Sequence, residues 1–430
     1  MVKDLEQVHE VRGAGSFLWK WMGSHWEVLP DTVVMAKIAT EYGHLQAAKR
    51  HADHRGIMAT ISNVVPQGLK RMDVRGVNFA NGFLTEELEL REHNPDYGMT
   101  YTMPFRYVDG MAGNSPLFFQ FLDDCWGHDA DFEAKKMALQ EAMCVTLFAM
   151  GPRLQKVILL RGVAKSGKSQ LLKIVESLVP DNARCYVPPN EWQDKFMPTM
   201  MHEKLLNVCG ELSERKKIDG QRFKDIVDGS EMSGQHKGRD IFNFRPLCTH
   251  WFASNHTPKT EDSSDGFNRR WLVLEFNKAV PPEKRQLDIA DRIVAEEREA
   301  IVAWAVQAMP RLLRNQEYTL PPSHAQIIRE MAQENNSARF FLEESPEVRV
   351  VKDSQGKTIP RTSEDLLFSK YWSFCVGPAG ARPVGRRGFR GMMRDLQQDL
   401  GFELVIETNQ LGVQQAYYQY LTLVDSKKKS

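Results

Sequence analysis

Between residues 156 and 277 the chain alternates short apolar runs with longer polar or helical stretches. Four runs stand out: 156–160 (KVILL), 205–209 (LLNVC), 250–253 (HWFA) and 271–276 (WLVLEF), with a weaker fifth at 184–187. Each is brief and nearly all-apolar, as parallel strands buried on both faces should be. The alternation with helical segments predicts an α/β core around a central parallel sheet. The flanks have different rhythms. Residues 1–75 mix Trp-rich sequence (17–26) with helices predicted over 31–53 and near 55–65. Short strands and turns follow over 74–110, with Asn81-Gly82 as a turn signal. Residues 115–150 have helical apolar spacing and good helix formers. The chain is helical again over 285–335, broken by YTLPP at 318–322. Over 362–425 it reads as helix, Gly/Pro/Arg-rich link, helix and two strands, an order compatible with a small winged-helix domain.

Composition narrows this picture only a little. The apolar fraction of 42% and charged fraction of 26% suit a globular protein whose 430 residues can hold two or three domains. No apolar run reaches the roughly 18 residues of a membrane span, and the first residues lack a signal-peptide core. Fifty-six basic residues balance fifty-six acidic ones. That argues against coating nucleic acid over the whole surface, though not against basic groups gathered in one channel. The six cysteines form no CxxC pair, so a disulfide framework or structural zinc is not expected and a reducing cytoplasm is the natural setting.

Candidate chemistry starts where KVILL ends. Residues 162–169 read GVAKSGKS, matching GxxxxGK[ST] between a buried strand and the helix SQLLKIVESLV. Gly162, Val163, Ala164, Lys165, Ser166, Gly167, Lys168 and Ser169 are thus candidate ATP-binding residues. The loop's N–H groups would form an anion nest at a helix N-terminus. Lys168 would meet the β- and γ-phosphates, and Ser169 would hold Mg²⁺. Downstream, LLNVCGELSE resembles a Walker B strand. Glu211 is the candidate to polarise water and help organise Mg²⁺; Glu214 is a weaker rival, and Gly210 stands where an Asp is usual. Ser254-Asn255 ends the next run, where Asn255 could position water and sense the γ-phosphate. Two arginines precede the last run. Arg270 is the first choice, and Arg269 the second, for a charge delivered to a neighbouring subunit's γ-phosphate.

The order of these elements resembles superfamily III DNA helicases of the phage and poxvirus primase-helicase type. The resemblance rests also on Lys224, on Asp228-Gly229-Ser230-Glu231, on His236-Lys237-Gly238-Arg239, on Phe244-Arg245-Pro246 and on SNHTP at 254–258. Softer likenesses lie at 81–105, 115–127 and 366–396, so it covers about 81–396. It implies an AAA+-like P-loop ATPase core at 151–284 behind an α+β N-terminal domain at 1–150. A helical extension at 285–345 and a winged-helix-like domain at 346–430 would follow. It further implies a homohexameric ring that threads single-stranded DNA through its pore and takes forked DNA as a partner, with ATP and Mg²⁺ between subunits. The pore hairpin would span 234–239, with His236 and Lys237 on the DNA backbone and Arg239 secondary. A ring reconciles the neutral chain with DNA binding, because six short basic hairpins concentrate charge in one pore.

Five arginines at 381–394 suit either DNA phosphates or a subunit contact. Residues 1–80 supply no carboxylates of a primase, so the expectation is a fragment of a larger replication protein, with a stand-alone helicase as the other option. The setting would be the cytoplasm of a virus- or phage-infected cell or of a mobile-element host. The alternative function is a nucleotide-switched DNA-binding or assembly module with weak unwinding or none.

Overall fold

The computed structural model describes residues 11–14, 17–69, 75–235, 241–260, 262, 264–351, 359–379, 383–408 and 414–424. They form two compact units. The first comprises Met1–Ser213, Gln221–His256 and Arg270–His324; the second comprises Glu214–Gly220, Thr257–Arg269 and Ala325–Ser430.

The heart of the first unit is a five-stranded parallel sheet, as the apolar runs predict. Its strands are β1 (Val157–Gly162), β2 (Arg184–Cys185), β3 (Leu206–Cys209), β4 (Thr249–Ser254) and β5 (Trp271–Phe276), in the order β5-β1-β4-β3-β2. Every side chain from Val157 to Leu160 and from Thr249 to Ser254 is buried, which is why these strands read as unbroken apolar runs. Helices cover the faces: Lys168–Ser177, Phe132–Leu147 and the 18-residue Ile289–Val306 all contribute to one apolar core with the sheet.

Ahead of the sheet lies an α+β segment. The Trp-rich sequence forms an antiparallel meander of Val11–Ala14, Phe17–Trp21 and Trp26–Leu29. Trp26 is fully buried, and its indole N–H donates to the Pro95 carbonyl at 2.8 Å. The helix expected over 31–53 ends at Tyr42 (Asp31–Tyr42), and the one expected near 55–65 starts earlier, at His51 (His51–Val64). The second starts afresh because the Arg50 backbone N–H donates to the Asp53 carboxylate (2.8 Å) in a capping box. Asn81 does mark a hairpin, between Gly76–Phe79 and Gly82–Thr85. Its side-chain amide bonds both the N–H and the carbonyl of Tyr107.

The second unit packs helices Ser337–Glu344, Glu364–Val376 and Arg386–Leu400 against a small sheet ordered Arg361–Ser363, Gln414–Gln419, Glu403–Thr408. Phe341, Tyr371, Phe374, Phe389 and Tyr418 form its core. The sequence reading assigns 337–344 to a helical extension ending at 345. The structure moves that helix into the second unit, because Phe341 packs its ring on Tyr371 and Phe374, and the Ser337 hydroxyl meets the Tyr371 hydroxyl at 2.7 Å.

Candidate nucleotide site

Parallel register brings the carboxyl ends of three adjacent strands level, since Ser254 of β4 pairs with Arg161 of β1 and Phe252 pairs with Cys209 of β3. In open α/β sheets ligands bind outside this edge. The turn leaving β1 depends on glycine. Gly162 has φ +154°, and a Cβ there would lie 1.9 Å from the Phe276 carbonyl oxygen. Gly167 has φ +103°, and a Cβ there would lie 2.5 Å from Cys125 Sγ. Between them the chain closes into a loop that feeds helix Lys168–Ser177. Unpaired N–H groups at that helix start, with the loop amides, favour an anion.

Lys168 is buried inside this loop. Its Nζ donates to the carbonyls of Gly162 (2.9 Å) and Val163 (2.5 Å) and to the Ser166 hydroxyl (3.3 Å). Burial pushes its pKa down from the ordinary lysine value, and the Glu211 carboxylate opposes that shift. Glu211 lies two residues past the end of β3. The Leu212 N–H donates to the Ala253 carbonyl (3.1 Å), so the acidic turn is tied to the neighbouring strand. At the tip of β4 the Ser254 hydroxyl accepts from the His256 N–H (3.0 Å) and donates to the His256 carbonyl (2.7 Å), a tight turn with Asn255 exposed at its crest.

A cavity of about 440 Å³ joins these groups. Ala164, Lys165, Ser166, Gly167, Lys168 and Ser169 line it, together with Glu211 and Asn255. Gly162 and Val163 stand behind, offering carbonyls to Lys168. Leu117, Gln120, Phe121 and Asp124, which lie in the 115–127 likeness without an assigned role, also border it, as do residues 284–287. The donor set fits a nucleotide triphosphate with its Mg²⁺. It combines a glycine cradle too tight for a Cβ, a lysine held in the loop, a serine hydroxyl at the helix start and an acid across the cavity.

Arg270 lies elsewhere. Its carbonyl accepts from the Val157 N–H (2.7 Å), which puts it at the amino end of β5. Six residues of strand, about 20 Å at ~3.3 Å each, separate it from the Gly162 edge. Its guanidinium is buried and forks onto Asp228, Nε to Oδ1 at 2.8 Å and Nη2 to Oδ2 at 2.5 Å. Arg269 is exposed and belongs to the second unit, as does Glu214. His236, Lys237 and Arg239 lie outside the described residues. The strands on either side, Met232–Gln235 and Ile241–Phe244, pair as an antiparallel hairpin.

Residues 6–127 match a family described as D5 N terminal like, and residues 160–270 match a family of unknown function, DUF5906. The second match takes in the glycine loop, Glu211, Asn255 and both arginines. Among solved structures, the chain is similar to the A form apo structure of the NrS-1 C-terminal region at 13% identity and a TM-score of 0.54, over 96% of this chain and 98% of that one. A second apo structure of that region aligns at 13% identity and a TM-score of 0.55, over 97% of each chain. At this identity the likeness is one of fold, and it extends over both units. The D5-like match indicates a relationship to replication proteins of the primase-helicase type. No helix among the described residues is long and apolar enough to cross a membrane.

Proposed function

We propose that this chain is the ATP-driven helicase part of a replication protein, assembling as a ring that moves on single-stranded DNA and unwinds forked DNA. One observation carries the reading: the 164–169 loop, Glu211 and Asn255 converge on one cavity at the carboxyl edge of a parallel sheet. The D5-like match over 6–127 and the hairpin between Glu211 and Asn255 point the same way.

In this mechanism Lys168 leaves the Gly162 and Val163 carbonyls and meets the β- and γ-phosphates. Ser169 and Glu211 would hold Mg²⁺, which neutralises phosphate charge when bound. Glu211 also orients the attacking water, and Asn255 senses whether a γ-phosphate is present. The arginine is supplied in trans. Because Arg270 is committed to Asp228 in its own chain, we assign the trans role to exposed Arg269 and reverse the ranking that spacing suggests. The 232–244 hairpin is the DNA-contacting element, with Lys237, His236 and Arg239 near its tip in sequence. The second unit is read as a winged helix, from its strand, helix, helix, hairpin order.

DNA-stimulated ATPase and strand displacement test the proposal. Wild type should show both, Lys168→Ala neither, and Lys237→Ala should lose the stimulation by DNA. A Lys237→Ala protein that still unwinds at the wild-type rate overturns the hairpin assignment. The assembly-module reading draws on Gly210, which leaves Glu211 without an acidic neighbour on the metal side. It predicts nucleotide-dependent oligomers with no strand displacement by wild type.

A further inference from the structure

We infer that helix Pro116–Trp126 and segment 280–289 build the nucleoside end of the cavity, and that Asp124 selects adenine. The inference rests on the ATP reading above and names what that reading leaves open. The 164–169 loop fixes where phosphates go. The rest of the cavity lies between Leu117 and Phe121 of the helix and Val280 and Ile289 of the segment following β5. Apolar walls with a few placed polar groups are what a flat heterocycle requires.

Both walls are tied to the loop. The Val280 N–H donates to the Lys165 carbonyl (3.0 Å), and Arg285 Nε returns to the Val280 carbonyl (2.6 Å). The Phe121 ring stands 3.4 Å from where a Cβ of Gly167 would be. The helix cannot slide, because the buried Glu297 carboxylate accepts the Leu117 and Phe118 N–H groups, each at 2.8 Å. The distance from loop to Asp124 is thereby set before any ligand arrives.

Asp124 lines the cavity two turns further along that helix. Lys284 Nζ (2.7 Å) and Gln120 Nε2 (3.2 Å) both donate to its Oδ1, while its Oδ2 takes no hydrogen bond from the described residues. A carboxylate held through one oxygen presents the other as an acceptor only. Adenine brings a 6-amino donor to such an oxygen. In the same pose a 6-oxo purine brings carbonyl lone pairs against a negative charge, and its N1–H meets the carboxylate only if the ring shifts along the slot, which the fixed distance from loop to Asp124 opposes. A site built to pair one polar group discriminates strongly against an analogue that cannot pair.

The test is equilibrium competition against a fluorescent ATP analogue, using ATP, ITP, GTP and inorganic tripolyphosphate on the full chain. Wild type should bind ATP at least tenfold more tightly than ITP or GTP. Asp124→Asn, which offers an amide donor to the 6-oxo group, should lower that ratio about tenfold, and Asp124→Ala should also lower it. Tripolyphosphate should bind both variants as it binds wild type, which shows that loop and fold are intact. Tight ATP binding with an ATP/ITP ratio near one overturns the inference and leaves the phosphate-loop reading standing. So does a ratio unchanged by both substitutions. If wild type binds neither ATP nor tripolyphosphate, both readings fall.

Discussion

Replacing Arg270 by alanine separates a structural arginine from a trans-acting one. The Arg270 side chain is 6% exposed and Asp228 26%. Removing one partner of a buried pair costs about 3–5 kcal/mol, because the other charge is left desolvated. Asp228 can regain water once the guanidinium is gone, so Arg270→Ala should fall at or below the low end, about 2–3 kcal/mol. That corresponds to a drop in melting temperature of about 4–12 °C at the usual scaling for larger domains. Asp228→Ala should cost at least as much, because the charge left behind is the more deeply buried one. Arg269→Ala, at an exposed position, should change stability by no more than about 0.5 kcal/mol yet lose ATPase. Thermal melts of the three variants, read beside ATPase rates, check this. Mixing Arg269→Ala chains with Lys168→Ala chains should restore part of the ATPase, since some interfaces then pair an intact loop with an intact arginine. The reasoning is refuted if Arg270→Ala melts like wild type while its ATPase disappears. Arg270 would then serve the neighbour, and the Asp228 fork would be incidental.

Two further predictions concern protons. Burial lowers the Lys168 pKa, and a bound triphosphate would raise it again. ATP binding at alkaline pH should therefore take up protons, and affinity should fall as pH rises through the lowered value; calorimetry in buffers of different ionisation enthalpy reads the uptake, and Lys168→Arg should abolish it. His250 lies fully buried, with Asn207 Nδ2 3.1 Å from its Nδ1, and burial lowers its pKa to about 3. The folded state therefore keeps it neutral. Its stability is fully present above the unfolded-state pKa of about 6.5 and is lost as pH falls below that, by ~2 kcal/mol at pH 5. Denaturation at pH 7 and pH 5 measures the loss, and a His250→Gln variant that loses as much as wild type would remove His250 as the cause.

The sheet was legible because doubly buried parallel strands show as continuous apolar runs, and the observed strands fall on the five predicted segments within a residue or two. The loop, Glu211 and Asn255 were legible because each begins two residues past the end of one of those runs. Other features depend on partners distant in sequence. Nothing in the order Arg269-Arg270 tells which side chain turns inward; Asp228, 42 residues earlier, decides it. The Trp-rich stretch near the amino end became strands because Trp26 finds the Pro95 carbonyl 69 residues away. The packing of helix Ser337–Glu344 was not legible because it depends on Phe341 meeting Tyr371 and Phe374, a contact that helical periodicity cannot foresee.

The same dependence on distant partners bears on how the two family matches relate. The match over 6–127 ends in the helix that holds Phe121, Asp124 and Cys125, and the match over 160–270 begins just before the glycine loop. In the folded chain these are one site: Gly167 lies against Cys125 so closely that a Cβ would overlap the sulfur. Cys125 is buried and its thiol is pushed up to about 12, so it acts as a small apolar wedge and not as a nucleophile. A larger side chain there would press on the loop from behind. Cys125→Leu should therefore weaken tripolyphosphate binding although it replaces no residue that lines the phosphate end, whereas the smaller Cys125→Ala should spare it. Equal affinity in both variants would mean that the helix supports the nucleoside end alone and that the loop holds its shape unaided.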